Sequence, residues 1–302
     1  MLSRRGFTLI ELSIVLVIIG LIVGGILTGR DLIRTATARA QITQIEKYKT
    51  AVSTFLGKYN QLPGDISDPD ATNFGFTTRG SSRGQGDGNR SIEATTGAIA
   101  GQAGEVAMMW VDLFKANMIE DGLTRASPTS FVAYSGGGTT MDPYINYIFP
   151  EAKAGNQTYI YVWSGSAVSA NAPAGFGGNW FCISRIGYLT ASTMAPGKNV
   201  TPAMAYAVDS KIDDGYPQSG NVAALYPTNV SSNHVAWAGD STSVPGEGAS
   251  TGFSQFLPTT SAQAGTASTC YDNNSSAGSK MQYSIGFAGG QNLSCALSIK
   301  MQ

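Results

Sequence analysis

The chain has a single histidine, His234, in 302 residues. That scarcity removes His-rich zinc sites and leaves one candidate base for any Ser-His or Cys-His machinery, so most hydrolase chemistry of that kind is disfavoured. Charge is also scarce. Charged residues make up 13% of the chain, about half of the ~25% that is usual. The 19 basic and 20 acidic side chains nearly cancel, to a net charge of -1. A surface built to bind nucleic acid is basic, so no nucleic acid partner is predicted. Only three cysteines are present, too few for a disulfide-framework fold, and no internal repeat at a fixed period is visible. Glycine is plentiful at 37 residues.

The long apolar run at the start of the chain is interrupted once. Phe7 to Leu27 reads FTLIELSIVLVIIGLIVGGIL, with Glu11 its one ionisable residue. At about 1.5 Å per residue, a helix of this length crosses the ~30 Å hydrocarbon core of a bilayer. Arg4 and Arg5 precede it, and the positive-inside rule places that end in the cytoplasm and the rest of the chain outside. A secretory signal peptide fits poorly. Its apolar region is shorter and ends in a small-x-small site, whereas this run continues through Thr28, Gly29 and Arg30 into Ala38, Ile42, Ile45, Tyr48, Val52, Phe55 and Tyr59. Spacings of three and four put those residues on one helical stripe. One helix of about 80 Å from Phe7 to Tyr59 is predicted, its first half for lipid or a bundle and its second half for a soluble domain. Within such a helix Glu11 needs a cationic partner, because a carboxylate in hydrocarbon costs about 2.5–3.5 kcal/mol or more.

The string Arg4-Arg5-Gly6-Phe7-Thr8-Leu9-Ile10-Glu11-Leu12 closely resembles the processing motif of the type IV pilin and type II secretion pseudopilin superfamily. The resemblance implies cleavage after Gly6 by a prepilin peptidase, methylation of the new amino terminus at Phe7, and an assembly role for Glu11. Cutting after Gly6 creates an ammonium, the cation that a buried Glu11 requires. In the family this pairing is assigned between neighbouring subunits. Many members carry a proline where this chain has Thr28. Here Gly20 with Gly24 and Gly25 with Gly29 form small-xxx-small pairs, suited to close helix packing or local melting, or simply reflecting the glycine enrichment of membrane helices.

The expected organisation is a leader at 1–6, a transmembrane and assembly helix at 7–30, and an exported domain at 31–302. The expected fold is an α+β pilin-like roll, a long helix packed on an antiparallel sheet with long loops. Leu62-Pro63-Gly64-Asp65 reads as a turn and residues 64–101 as a surface loop. Residues 103–119 read as a helix, and Thr201-Pro202 caps another that runs to about Ile212. The order of long helix, Leu-Pro-Gly-Asp turn, glycine-rich loop and Trp-containing helix also resembles a group of large pilin-like proteins. Strands are predicted at Tyr144–Phe149, Thr158–Trp163, Trp180–Ile186, Gln282–Phe287 and Leu293–Met301, with a hairpin at Gly286–Gly290 joining the last two. Residues 216–280 look irregular, too long a stretch for pure coil, and short strands or a disulfide are expected within it.

Three cysteines allow three single pairings. The resemblance to pilins favours Cys270–Cys295, closing a carboxy-terminal loop, and leaves Cys182 as a small buried residue in a strand. No catalytic residue and no bound metal is assigned. Gln85-Gly86-Asp87-Gly88-Asn89-Arg90-Ser91-Ile92 resembles part of an EF-hand or dockerin calcium loop, but Gln85, Arg90 and Thr96 replace its first ligand, its glycine and its closing glutamate. Asp209, Asp213 and Asp214 gather at a helix end that disfavours negative charge, which points to a cation or a hydrogen-bonding role.

The functional expectation is a prepilin-like structural subunit of a type IV pilus or a secretion pseudopilus, more in keeping with a minor or tip position. Its expected partners are prepilin peptidase, other pilin or pseudopilin subunits and the inner membrane. No cofactor beyond calcium is implied. The alternative is a membrane-tethered periplasmic binding protein or glycan-acting enzyme that uses the helix only as an anchor. Paired carboxylates leave no fixed sequence spacing to exclude the latter.

Overall fold

Helix α1 runs without a break from Leu9 to Tyr59, about 75 Å at the usual rise. The computed structural model describes residues 8–94, 103–129, 144–155, 157–165, 176–189, 194–229, 234–238, 264–276 and 278–302. Thr8 starts α1 as N-cap and Asn60 ends it in the left-handed conformation, its N–H donating to the Leu56 carbonyl. The helix changes character along its length. Residues 9–28 are exposed and apolar, and burial begins at Ala38 and recurs at Ile45, Tyr48, Val52 and Phe55. The predicted stripe is thus the face that enters the core.

Two buried glutamines on that face were not anticipated. Gln44 donates to the Glu151 carbonyl at 2.8 Å and accepts from Lys153 N, while Gln41 accepts from Ala154 N at 2.9 Å. They tie backbone groups of the irregular segment 151–154 to the face of α1.

The sheet behind the helix is antiparallel. Its strands are β1 (Thr158–Ser164), β2 (Asn179–Leu189), β3 (Met194–Gly197), β4 (Val222–Ala223) and β9 (Leu297–Lys300). The order is β1-β2-β9-β4, and β3 continues the β9 edge of the long β2. Phe181 lies opposite Val162 and Ile299 in the ladder and meets Tyr48 of α1 and Trp110 of α3 (Glu105–Lys115). The neighbouring residues face the other way. There Trp163 stacks on Trp180, and Phe176 bridges Trp180 to Trp237. That second face is covered by a ribbon of β5 (Leu225–Asn229) and β6 (His234–Trp237), tied to the sheet by Ser298 Oγ donating to the Leu225 carbonyl. With layers on both faces, every residue of β1 is buried, so the polar-out alternation of a half-exposed strand is missing. The fold is α+β, a long helix on an antiparallel sheet.

Three local readings are corrected. Tyr144–Phe149 is not a strand, because Ile145–Tyr147 closes into a 3₁₀ turn. Gly286–Gly290 is not a hairpin: Ala288–Gly290 is a 3₁₀ turn, β8 (Gln282–Tyr283) pairs with β7 (Tyr271–Asp272), and β9 joins the main sheet. The segment after Gly64 is not a solvated surface loop either. It holds a short helix α2 (Asp70–Asn73), and Ile66, Ala71, Ile92 and Ala94 are all in the core. Helix α4 (Pro202–Ile212) starts as expected, with Thr201 Oγ1 accepting from Met204 N.

Candidate processing and assembly segment

The amino-terminal run offers one ionisable side chain where it enters the helix, Glu11. Thr8 and Glu11 form a capping box: Thr8 N and Thr8 Oγ1 each donate to Glu11 Oε2 at 2.8 Å, and Glu11 N donates to Thr8 Oγ1. Such a box satisfies helix N-terminal donors that have no carbonyl partner. The Thr-x-x-Glu spacing is the sequence signature of such a box. Gly6 and Phe7 lie outside the described residues.

From Leu9 onward this is a helix long and apolar enough to cross a membrane, with a mean hydropathy of 2.7 over its most apolar window and none of that window buried. Gly20, Gly24, Gly25 and Gly29 have no neighbour within 4 Å of where a side chain would begin. Among the described residues the head therefore makes no use of them, and the space beside them is open for another helix.

The head holds two groups of carboxylates. Asp65, Asp87 and Glu105 each bring one oxygen within 4.8 Å of the others, and they have the donor chemistry that a hard cation prefers. Only Asp87 belongs to the calcium-like run; Gln85 instead accepts from Ser82 N within its own turn. Asp65 accepts from Gly88 N and Arg90 N, at 2.8 and 2.6 Å. Glu105 accepts from Gly86 N and Glu93 N, at 2.8 and 2.9 Å. These two buried side chains thus wind residues 86–93 around themselves. In the second group Asp209 accepts from Tyr283 Oη and Gly215 N, Asp213 from Asn221 N and Val222 N, and Asp214 from Tyr216 N and Ser219 Oγ. These bonds tie the end of α4 to the following turn.

Burial pushes Asp65 up to about 7, with Asp87 adding to the effect. It pushes Glu105 up to about 8, with Asp65 and Asp87 adding. The four N–H donors pull the other way, and Arg83, paired with Glu93, feels the charges of Asp87 and Glu105. Between the ordinary carboxyl range and these values the folded chain holds more protons than the unfolded one, so stability falls as pH rises. The detergent-solubilised chain is expected to melt at a lower temperature at about pH 8.5 than at about pH 5.5, and Glu105→Gln to flatten that difference. Thermal melts at both values check this. A parent chain more stable at the alkaline value, or an unchanged slope in the variant, would count against the assignment.

Cys270 and Cys295 form a disulfide with their Cα atoms 4.8 Å apart. Closing a loop of 25 residues contributes about 3 kcal/mol in the chain-entropy account. Cys182 is free and fully buried, donating to Tyr161 Oη at 3.3 Å. Burial pushes its thiol up to about 12, the reverse of an activated nucleophile.

The chain matches the family model described as the prokaryotic N-terminal methylation motif over residues 1–27. No curated protein and no solved structure matches it.

Proposed function

As a chain of the type IV pilin and pseudopilin superfamily, marked by its prepilin-type methylation motif, this protein is, we propose, a subunit cut after Gly6, N-methylated at Phe7 and polymerised through α1. Residues 1–6 are then the leader, 7–30 the membrane and assembly helix, and 31–302 the exported region. The observation that carries this reading is the coincidence of motif and helix. The motif covers residues 1–27, and the same stretch of α1 is apolar and untouched by the head. A helical stretch with no contact to the described head, preceded by the motif's cleavage position, is suited to lipid first and to other subunits afterwards.

Before assembly the chain sits in the inner membrane with Arg4 and Arg5 inside, and afterwards in a periplasmic or surface filament. The head is large for a repeating subunit, which favours a minor or tip position. Mass spectrometry of sheared filaments is expected to find N-methylated Phe7 as the first residue, in far smaller amount than the main subunit. A chain still beginning at Met1 in cells with active peptidase would overturn the processing step, and equal abundance would overturn the minor position.

A further inference from the structure

A groove of about 430 Å³ lies at the end of the head where α1 enters it. Ile33 and Ala38 of α1, Ala203, Met204 and Ala207 of α4, and Leu293 form its apolar walls, and Asp31 and Arg34 stand at its rim. The volume is in the range of ligand sites. Around it the head gathers exposed apolar side chains: Ile33 is 68% exposed, Leu293 45% and Tyr206 42%. Ile285 and Phe287 are exposed as well, and Gly290 wedges their segment against Ala203.

The height of this surface above the membrane follows from the helix rise. If the apolar run ends at Leu27, Asp31 stands about 6 Å and Ala38 about 16 Å beyond the hydrocarbon edge. The headgroup layer is itself about 5–8 Å deep. The rim therefore begins at the level of the phosphates. Arg30, Arg34 and Arg39 lie on this stretch of α1 against the one acid, Asp31, which pairs with Arg34 at 3.2 Å. Apolar and aromatic side chains interleaved with arginines are the chemistry of a bilayer interface, and the surplus positive charge complements anionic headgroups.

We propose that in the unassembled chain this end of the head rests on the phospholipid headgroups around α1, with Ile33, Tyr206 and Leu293 in the interface and Arg30 and Arg34 on the phosphates. The proposal rests on the reading of α1 as a membrane span. A lipid surface is favoured as occupant because the groove continues the span's own apolar surface in every single chain.

The test uses the full chain in vesicles of phosphatidylethanolamine and phosphatidylglycerol, with traces of two phosphatidylglycerol probes, one carrying a diazirine in its acyl chain and one near its glycerol. Cross-links mapped by mass spectrometry are expected in two clusters, one along residues 9–27 and one at 203–207 and 285–293. Ala207→Glu with Leu293→Glu, the first half-buried at the groove wall and the second exposed, is expected to lower the second cluster about fivefold or more and to leave the first unchanged. Lipid cross-links confined to residues 9–27 would overturn the proposal and leave the span standing. Their absence from residues 9–27 would overturn the span, and the proposal with it. Cross-links from 203–207 to a second copy, in place of lipid, would make another subunit the occupant and also overturn it.

Discussion

A Glu11→Gln chain is expected to reach the membrane in the parent's amount and to be depleted about tenfold or more from filaments. Glutamine is the informative replacement because of the capping box. Thr8 N and Thr8 Oγ1 both donate to Oε2 of Glu11, and an amide oxygen accepts those bonds equally, since Gln serves at that position of the box as well as Glu. The start of α1 is therefore preserved. What the variant lacks is the negative charge. In the proposed assembly step that charge meets the ammonium of Phe7 on a neighbouring subunit, a charge-assisted bond worth about 1.5–3 kcal/mol even in ordinary surroundings and more where water is excluded. Thr8→Ala supplies the converse. It breaks the box, at a cost of about 1 kcal/mol to the helix start, and leaves the carboxylate in place, so incorporation is expected to persist. Quantitative immunoblots of membrane and sheared-filament fractions measure both. Normal incorporation of Glu11→Gln, or loss with Thr8→Ala alone, would show that the cap rather than the charge serves assembly.

What could be read from the sequence follows from how local each signal is. The apolar run broken only at Glu11, the stripe from Ala38 to Phe55 and the Thr201-Pro202 start of α4 rest on neighbours within one or two turns, and the structure shows each of them. The strand from Thr158 was legible from its β-branched and aromatic residues, whereas Tyr144–Phe149 has the same composition and forms a 3₁₀ turn. Composition does not reveal whether a partner strand lies alongside. The loop after Gly64 was misread for a related reason. Most of its polar residues are solvated, yet Asp65, Arg79 and Glu93 are buried, and the segment is held in because Asp65, Glu105 and Asp112 accept its backbone N–H groups. Gly64 belongs to that arrangement. Its φ of +87° and the nearby Glu105 carbonyl leave no room for a side chain, a requirement visible only once α3 is in place. The motif over residues 1–27 was legible as well, because it is a short linear string that owes nothing to the folded head.

The second large effect is expected inside the head. Arg79 and Asp112 form an ion pair with both side chains fully buried. Arg79 also donates through Nε to the Ile66 carbonyl and through its backbone N to Asp68, while Asp112 accepts from Gly64 N at 2.7 Å. The pair thus fastens residues 64–79 to α3. Two buried charges are costly to take from water, and here Arg79 Nη1 and Asp112 Oδ1 find no partner among the described residues, so the pair adds little net stability over apolar side chains of similar size. Removing one member is a different matter. Asp112→Ala strands a buried guanidinium and is expected to cost about 3–5 kcal/mol, a large part of a typical domain's total stability of about 5–15 kcal/mol. Arg79→Met together with Asp112→Leu is expected to recover most of that loss, short of about 1 kcal/mol for the orphaned Gly64 N–H. Denaturant midpoints of the three chains decide the matter. If the double variant is as unstable as Asp112→Ala, the pair contributes through geometry that apolar packing cannot replace. If Asp112→Ala loses less than about 1 kcal/mol, water reaches the site and the pair is not buried in solution.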